Sequence, residues 1–280
     1  MPANQPPPQL PPPPQAARSQ PPPSPRQAPP LFTIRGLTKA FAGRKVLDGL
    51  DFEILRGECF VILGRSGSGK SVTLRQLNGL DKPDAGQVVF DGTDVTALAE
   101  RETYPMRRRI AMLFQGGALF DSMTVFDNVA FPLREHTRLG AAEIAAKVQE
   151  KLGLVHLPDA GPKMPADLSG GMRKRAALAR SLALDPEVVL YDEPTTGLDP
   201  MTSAAIGQLI RQIHRRLDVT QVVITHDLAL ARHVADRLAY LSNGRFTFVG
   251  DWAAAERCTD PELAGFLAGR EWEEEDDHGA

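Results

Sequence analysis

Cysteine is nearly absent from this chain: Cys59 and Cys258 are the only two among 280 residues. That excludes a disulfide framework and fits a reduced, cytosolic compartment best. Long apolar runs are missing too, so no segment reads as a bilayer-crossing helix. The N-terminus lacks the apolar stretch of a signal peptide. Net charge is small at −3, and it is unevenly spread. Arg18 and Arg26 make residues 1–30 basic, while Glu271, Glu273, Glu274, Glu275, Asp276 and Asp277 make 271–280 acidic. The nearly neutral remainder gives no electrostatic reason to expect nucleic-acid binding. No internal repeat is visible, so the chain carries one functional unit.

What is present is a large globular middle between two biased ends. Residues 1–30 hold 14 of the 24 prolines and read as an extended, disordered tail. Residues 271–280 read as a solvated acidic tail. Between them strands and helices alternate. Leu31 to Ile34, Asp51 to Ile54 and Val88 to Asp91 look like strands near the start. Cys59 to Leu63, Val188 to Asp192 and Val222 to Thr225 are short apolar runs bounded by turn residues, as in a parallel sheet buried on both faces. Helical composition marks 140–153 and 171–184. The pattern is α/β, with helices covering a mostly parallel sheet.

Residues 64–71 read Gly-Arg-Ser-Gly-Ser-Gly-Lys-Ser and fit the phosphate-loop pattern G-x-x-x-x-G-K-[ST]. An apolar strand leads in, and helical spacing (Val72, Leu74, Leu77, Leu80) leads out. Gly64, Gly67 and Gly69 let backbone N–H groups converge on phosphate oxygens, with Arg65, Ser66 and Ser68 between them. The helix start adds unpaired donors and the positive end of its dipole. Lys70 would reach the outer phosphates, and the Ser71 hydroxyl would ligate Mg²⁺. Asp192 and Glu193 stand at the end of the apolar run Val188–Tyr191, where open α/β sheets place their ligands. Asp192 would hold Mg²⁺, and Glu193 would orient or deprotonate a water. Ser169-Gly170-Gly171 opens a helix; Ser169 is a fitting cap, but paired glycines there suggest close approach by a phosphate.

The run Leu168-Ser169-Gly170-Gly171-Met172 resembles the signature motif of ATP-binding-cassette (ABC) ATPases, and other elements fall into that family's order. Phe41 matches the aromatic that stacks on adenine. Gln115 matches the loop glutamine that senses Mg²⁺ and the membrane partner. Gly197-Leu198-Asp199 matches the D-loop, and His226 the switch histidine on the γ-phosphate. The resemblance spans roughly residues 31–250. It implies a P-loop NTPase fold: a RecA-like core, a small antiparallel β-subdomain and a helical subdomain near 116–180, with a helical extension over 251–270. It also implies ATP and Mg²⁺ as cofactors and a head-to-tail homodimer. In that dimer each ATP contacts residues 64–72 and Asp199 of the cassettes, and Ser169, Gly170 and Gly171 from across the interface.

The segment from Phe114 to Leu133 and the run Ser169 to Arg175 are similar, more narrowly, to ATPase subunits of the Mla/Mce class of bacterial lipid transporters. Met172 replaces the glutamine usual in the wider family, and the narrower class shares that departure. The resemblance implies an integral permease and an Mce-domain protein as partners. It places the chain peripherally at the cytoplasmic face of the inner membrane, powering movement of phospholipid or related molecules. An importer ATPase for amino acids or ions is the alternative in the same class. A soluble ABC protein acting on ribosomes or DNA is the alternative outside it.

Overall fold

A computed structural model describes residues 30–269. The proline-rich stretch before Pro30 and the acidic end lie outside the described residues.

Two sheets share the core. The first is antiparallel, in the order β2 (Arg44–Leu55), β1 (Pro30–Phe41), β4 (Ala85–Phe90), β5 (Thr93–Asp94). The second has six strands. Its order is β10 (Arg245–Gly250), β9 (Arg237–Ser242), β3 (Cys59–Leu63), β8 (Thr220–Thr225), β7 (Val188–Asp192), β6 (Ile110–Leu113). From β9 to β6 every pairing is parallel; only β10 runs antiparallel.

Alternation along the central strands divides the core in two. Val61 and Leu63 of β3 join Val189 and Tyr191 of β7 in a cluster with the helices on one face. Phe60, Ile62, Val188 and Leu190 point to the other face, where they meet the antiparallel sheet and helix α1 (Lys70–Leu77). Every residue of β3 is buried. Each such side chain contributes about 1.5–3 kcal/mol by leaving water, as an upper estimate. Burial on both faces is why β3, β7 and β8 read as continuous apolar runs rather than alternating ones.

The helices on the first face are α3 (Val125–His136), α4 (Ala141–Leu154), α5 (Gly170–Ser181), α6 (Pro200–Leu217) and α7 (Leu228–Val234). A short helix α2 (Tyr104–Arg109) precedes β6, and α8 (Trp252–Glu256) and α9 (Pro261–Leu267) follow β10. Helix α1 is shorter than its apolar spacing predicts. It stops at Leu77 because Gly79 takes a left-handed φ of 63° just past the Asn78 cap. Likewise α5 ends at Ser181 rather than 184, and the chain turns at Asp185 with φ 53°.

Among the described residues no helix is long and apolar enough to cross a membrane. Both cysteines are free, and Cys59 is buried.

Candidate functional site

Parallel strands give the sheet one edge where all their C-terminal ends meet, and the candidate residues lie along it. Gly64 follows β3, Asp192 ends β7 and Glu193 follows it, and His226 follows β8. Gln115 comes two residues after β6.

The phosphate loop is shaped by close packing. A Cβ on Gly64 would stand 2.4 Å from the Leu241 carbonyl oxygen, and one on Gly69 would stand 2.9 Å from the Val46 carbonyl oxygen. Gly67 has open space around it and a φ of 79°, which only glycine adopts without strain. Lys70 begins α1 with its ammonium turned inward. It donates to the Gly64 and Arg65 carbonyls, each at 2.8 Å, and lies 3.4 Å from Glu193 Oε1. Burial pushes this ammonium below its ordinary pKa, while the Glu193 carboxylate pulls the other way. Ser71 Oγ donates to Asp192 Oδ1 at 3.0 Å. Burial raises the Asp192 carboxyl; the Ser71 bond opposes this and the like charge of Glu193 adds to it.

Glu193 takes a left-handed backbone (φ 47°), unusual for a residue with a side chain. Its backbone N–H donates to the Ile224 carbonyl at 3.0 Å, which fixes the bend. Its side chain is largely buried, and Oε2 lies 2.9 Å from His226 Nδ1. The imidazole is otherwise half exposed. Gly64, Arg65, Lys70, Ser71, Asp192, Glu193 and His226 therefore form one connected cluster.

Ser169, Gly170, Gly171 and Asp199 form a second. Ser169 Oγ caps α5 by accepting from Met172 N at 3.3 Å. Asp199 caps α6 through the Met201 and Thr202 amides, both at 3.0 Å, and the Thr202 hydroxyl bond holds its carboxyl low. The two helix starts touch. A Cβ on Gly171 would meet Thr202 Cγ2 at 2.4 Å, and one on Gly170 would meet Leu198 at 3.5 Å. This amends the sequence argument: what crowds Gly171 is α6 of the same chain, and Gly170 alone of the pair is exposed. Among the described residues no hydrogen bond joins Ser169, Gly170 or Asp199 to the first cluster. Phe41 closes β1, 46% exposed, with the Lys39 ammonium 5.5 Å from its ring. Ser66, Ser68, Val72 and Gln115 are at least partly exposed around the loop and the edge.

Three further residues hold these parts in place without having been singled out in the sequence. Asn128, wholly buried on α3, receives the Phe120 N–H and donates to the Phe120, Met123 and Thr124 carbonyls. Arg180 of α5 lies 4.2 Å over the Phe120 ring and donates to the Ala118 carbonyl. Lys174, one turn into α5, donates to the Thr196 carbonyl at 2.8 Å, joining that helix to the loop after Glu193. A buried lysine in a helix so rich in basic residues leaves no trace in the sequence pattern.

A glycine loop leading into a helix, with a lysine, a serine and paired carboxylates at adjacent strand ends, defines a phosphate-loop nucleoside triphosphatase. Comparison with known proteins narrows the class. Residues 47–196 match the ABC transporter family. The chain is 44% identical over 237 residues to the probable ribonucleotide transport ATP-binding protein mkl of Mycobacterium leprae, covering 85% of this chain and 68% of that protein. It is 40% identical over 239 residues to the intermembrane phospholipid transport system ATP-binding protein MlaF of Escherichia coli, covering 85% of this chain and 89% of MlaF. Among solved structures it is similar to a dimeric ATP-binding cassette in a post-hydrolysis state with ADP and Pi. There the TM-score is 0.73 at 32% identity, covering 79% of this chain and 98% of that one. It is also similar to cbiO1 of Clostridium perfringens, part of the complex cbiONQ, with TM-score 0.75 at 30% identity over 81% of this chain and 92% of that one.

The chain belongs to the ABC transporter family, as its ATP-binding and ATP-hydrolysing subunit.

Proposed function

We propose that this ATPase works as a head-to-tail homodimer beneath an Mla/Mce-type permease and drives phospholipid or related hydrophobic molecules between bacterial membranes. The observation that carries the cargo assignment is the near end-to-end match to MlaF, 89% of whose length aligns here at 40% identity. The similarity of Phe114–Leu133 to the Mla/Mce class supports it. The start of that stretch is presented on the surface, with Phe114 and Phe120 42% and 39% exposed, as a permease contact requires. Ribonucleotide transport is the second reading. It rests on the name of the mycobacterial relative, of which this chain aligns with only 68%.

In this proposal Lys70 and the amides of residues 65–72 bind the outer phosphates, and Phe41 stacks on the base. Ser71 and Asp192 offer hard oxygen donors 3.0 Å apart, a pair that suits Mg²⁺. Bound there, Mg²⁺ would neutralise phosphate charge; Gln115 sits on the neighbouring strand end, toward the permease side. Glu193 orients the attacking water and takes its proton. His226, tied through Nδ1 to Glu193, turns its other nitrogen to the transferring group. Ser169, Gly170 and Asp199 complete the partner's site, which explains why their own chain leaves them apart from the first cluster. Most of the rate gain comes from positioning and fixed charge. The partners would be the permease and an Mce-domain protein, with this chain peripheral at the cytoplasmic face.

A mild-detergent pull-down from native membranes tests the cargo. A multispanning permease, an Mce-domain protein and co-purifying phospholipid are expected. A permease with a soluble solute-binding protein and no enriched lipid would move the assignment to a conventional importer.

A further inference from the structure

The C-terminal helix α9 lies outside the matched family region, yet it touches the wall behind the phosphate loop. Strand β9 makes that wall. Tyr240 pairs with Leu63, the last residue before the loop, and the Leu241 carbonyl closes on Gly64. Tyr240 and Ser242 lie two residues apart and so share one face of β9. Helix α9 covers that face: the Phe266 ring lies 5.1 Å from that of Tyr240, and Leu263 is fully buried.

The first turn of α9 brings one carboxylate to both β9 side chains. Glu262 Oε1 accepts from Ser242 Oγ at 2.6 Å and from the Tyr240 hydroxyl at 3.5 Å. Leu241, between those two residues, packs its carbonyl against Gly64, the first residue of the phosphate loop. The Gly64 carbonyl in turn holds the Lys70 ammonium at 2.8 Å. A phenol has one proton to give, and Tyr240 gives it to Glu262. Burial, then the Glu262 charge, push the Tyr240 hydroxyl up to about 12, so it keeps that proton at any working pH.

We propose that Glu262 is a positioning residue for the phosphate loop, acting through Tyr240 and its neighbours on β9, whose Leu241 carbonyl closes on Gly64, to set the affinity for ATP. Helix α9 is then part of the nucleotide site as well as a lid on the sheet, and whatever displaces α9 weakens ATP binding. This rests on the nucleotide-site reading above.

The test titrates the full chain with a fluorescent ATP analogue and measures steady-state hydrolysis alongside. Glu262→Ala is expected to raise Kd and KM about threefold to tenfold while kcat stays within about twofold. Glu262→Gln, which keeps an acceptor, should fall between. Adding Tyr240→Phe to Glu262→Ala should cost little more than the worse single change, since both cut the same path. Unchanged Kd and KM in Glu262→Ala with a lowered melting temperature would reduce Glu262 to a strut for α9. Fully additive losses would show that the path does not run through Tyr240. Lys70→Ala in the same titration separates the two ideas. If it loses binding while Glu262→Ala does not, only this proposal falls; if neither loses binding, the nucleotide site itself is misplaced.

Discussion

The phosphate-loop cluster and the signature edge are opposites. In the first, each charge has a partner in its own chain: Lys70 with two carbonyls and Glu193, Asp192 with Ser71, Glu193 with His226. In the second, among the described residues, Ser169 and Asp199 bond only to the helices they cap, and Met201 beside them is 84% exposed. A site whose members are already paired is organised before its ligand arrives. An edge that offers only helix caps suits the proposal that a partner chain completes it. In the proposed dimer, the finished half-site of one chain would meet the unfinished one of its partner.

The comparison breaks most sharply at Glu193. Glu193→Gln keeps the shape and the contact to His226 but removes the proposed base. Turnover should fall about 10²- to 10⁴-fold with ATP binding intact, leaving a trapped dimer; size-exclusion chromatography with ATP and a steady-state assay check it, and retained turnover would contradict the role. Lys70→Ala empties the first cluster of its cation and leaves Glu193 buried beside the gap. ATP affinity should drop about 10- to 100-fold, read by analogue titration.

Ser169→Asp sharpens the second half. Aspartate caps a helix as well as serine does, so the melting temperature should hold. The new carboxylate would face the partner's triphosphate, however, and hydrolysis should fall about tenfold or more. Mixed with Lys70→Ala chains, these chains should regain activity that neither has alone, because one mixed pair holds one intact composite site. Full activity in Ser169→Asp by itself would leave Ser169 a cap and nothing more.

The smallest effect concerns the far end of the sheet. His214 Nε2 lies 3.4 Å from Asp236 Oδ2. The Asp236 bond raises His214 above its ordinary value of 6.5, although burial opposes it. Burial also opposes the lowering of Asp236, but bonds from His214 and the Cys59 amide outweigh it. A raised base holds its proton more tightly in the fold. Its stabilisation is complete below about pH 6.5 and is lost as pH rises through the folded value. His214→Gln should therefore lower the melting temperature by about 2–4 °C at pH 6 and by less at pH 8.5. Equal losses at both values would show that the pair carries no charge interaction.

How much of this was legible depends on burial. Strands β3, β7 and β8 show in the sequence because burial on both faces makes them plainly apolar. Strands β1 and β2 read as four-residue pieces but run to 12 residues each, because register shifts along the pair break their alternation. Strand β6 is only Ile110–Leu113 and follows three arginines, and β10 is half exposed throughout, so neither stands out from its surroundings. Most of the first cluster was readable because local chemistry at a strand end names its members, whereas His226 came only with the family resemblance. The supports Arg180, Lys174 and Glu262 act across folded distances that no local pattern records.

Strand order also has a consequence for synthesis. The neighbours of β3 are β8 and β9, and Cys59 bonds to Asp236, 177 positions further on. The phosphate loop leaves the ribosome early, but the strands that wall it arrive near the end. At about 5–20 residues per second the loop waits roughly ten to thirty seconds without its supports. ATP cannot help the nascent chain fold during that time, because the pocket that would bind it does not yet exist. A message truncated before residue 237 should yield a product with the whole phosphate-loop motif and no measurable grip on nucleotide.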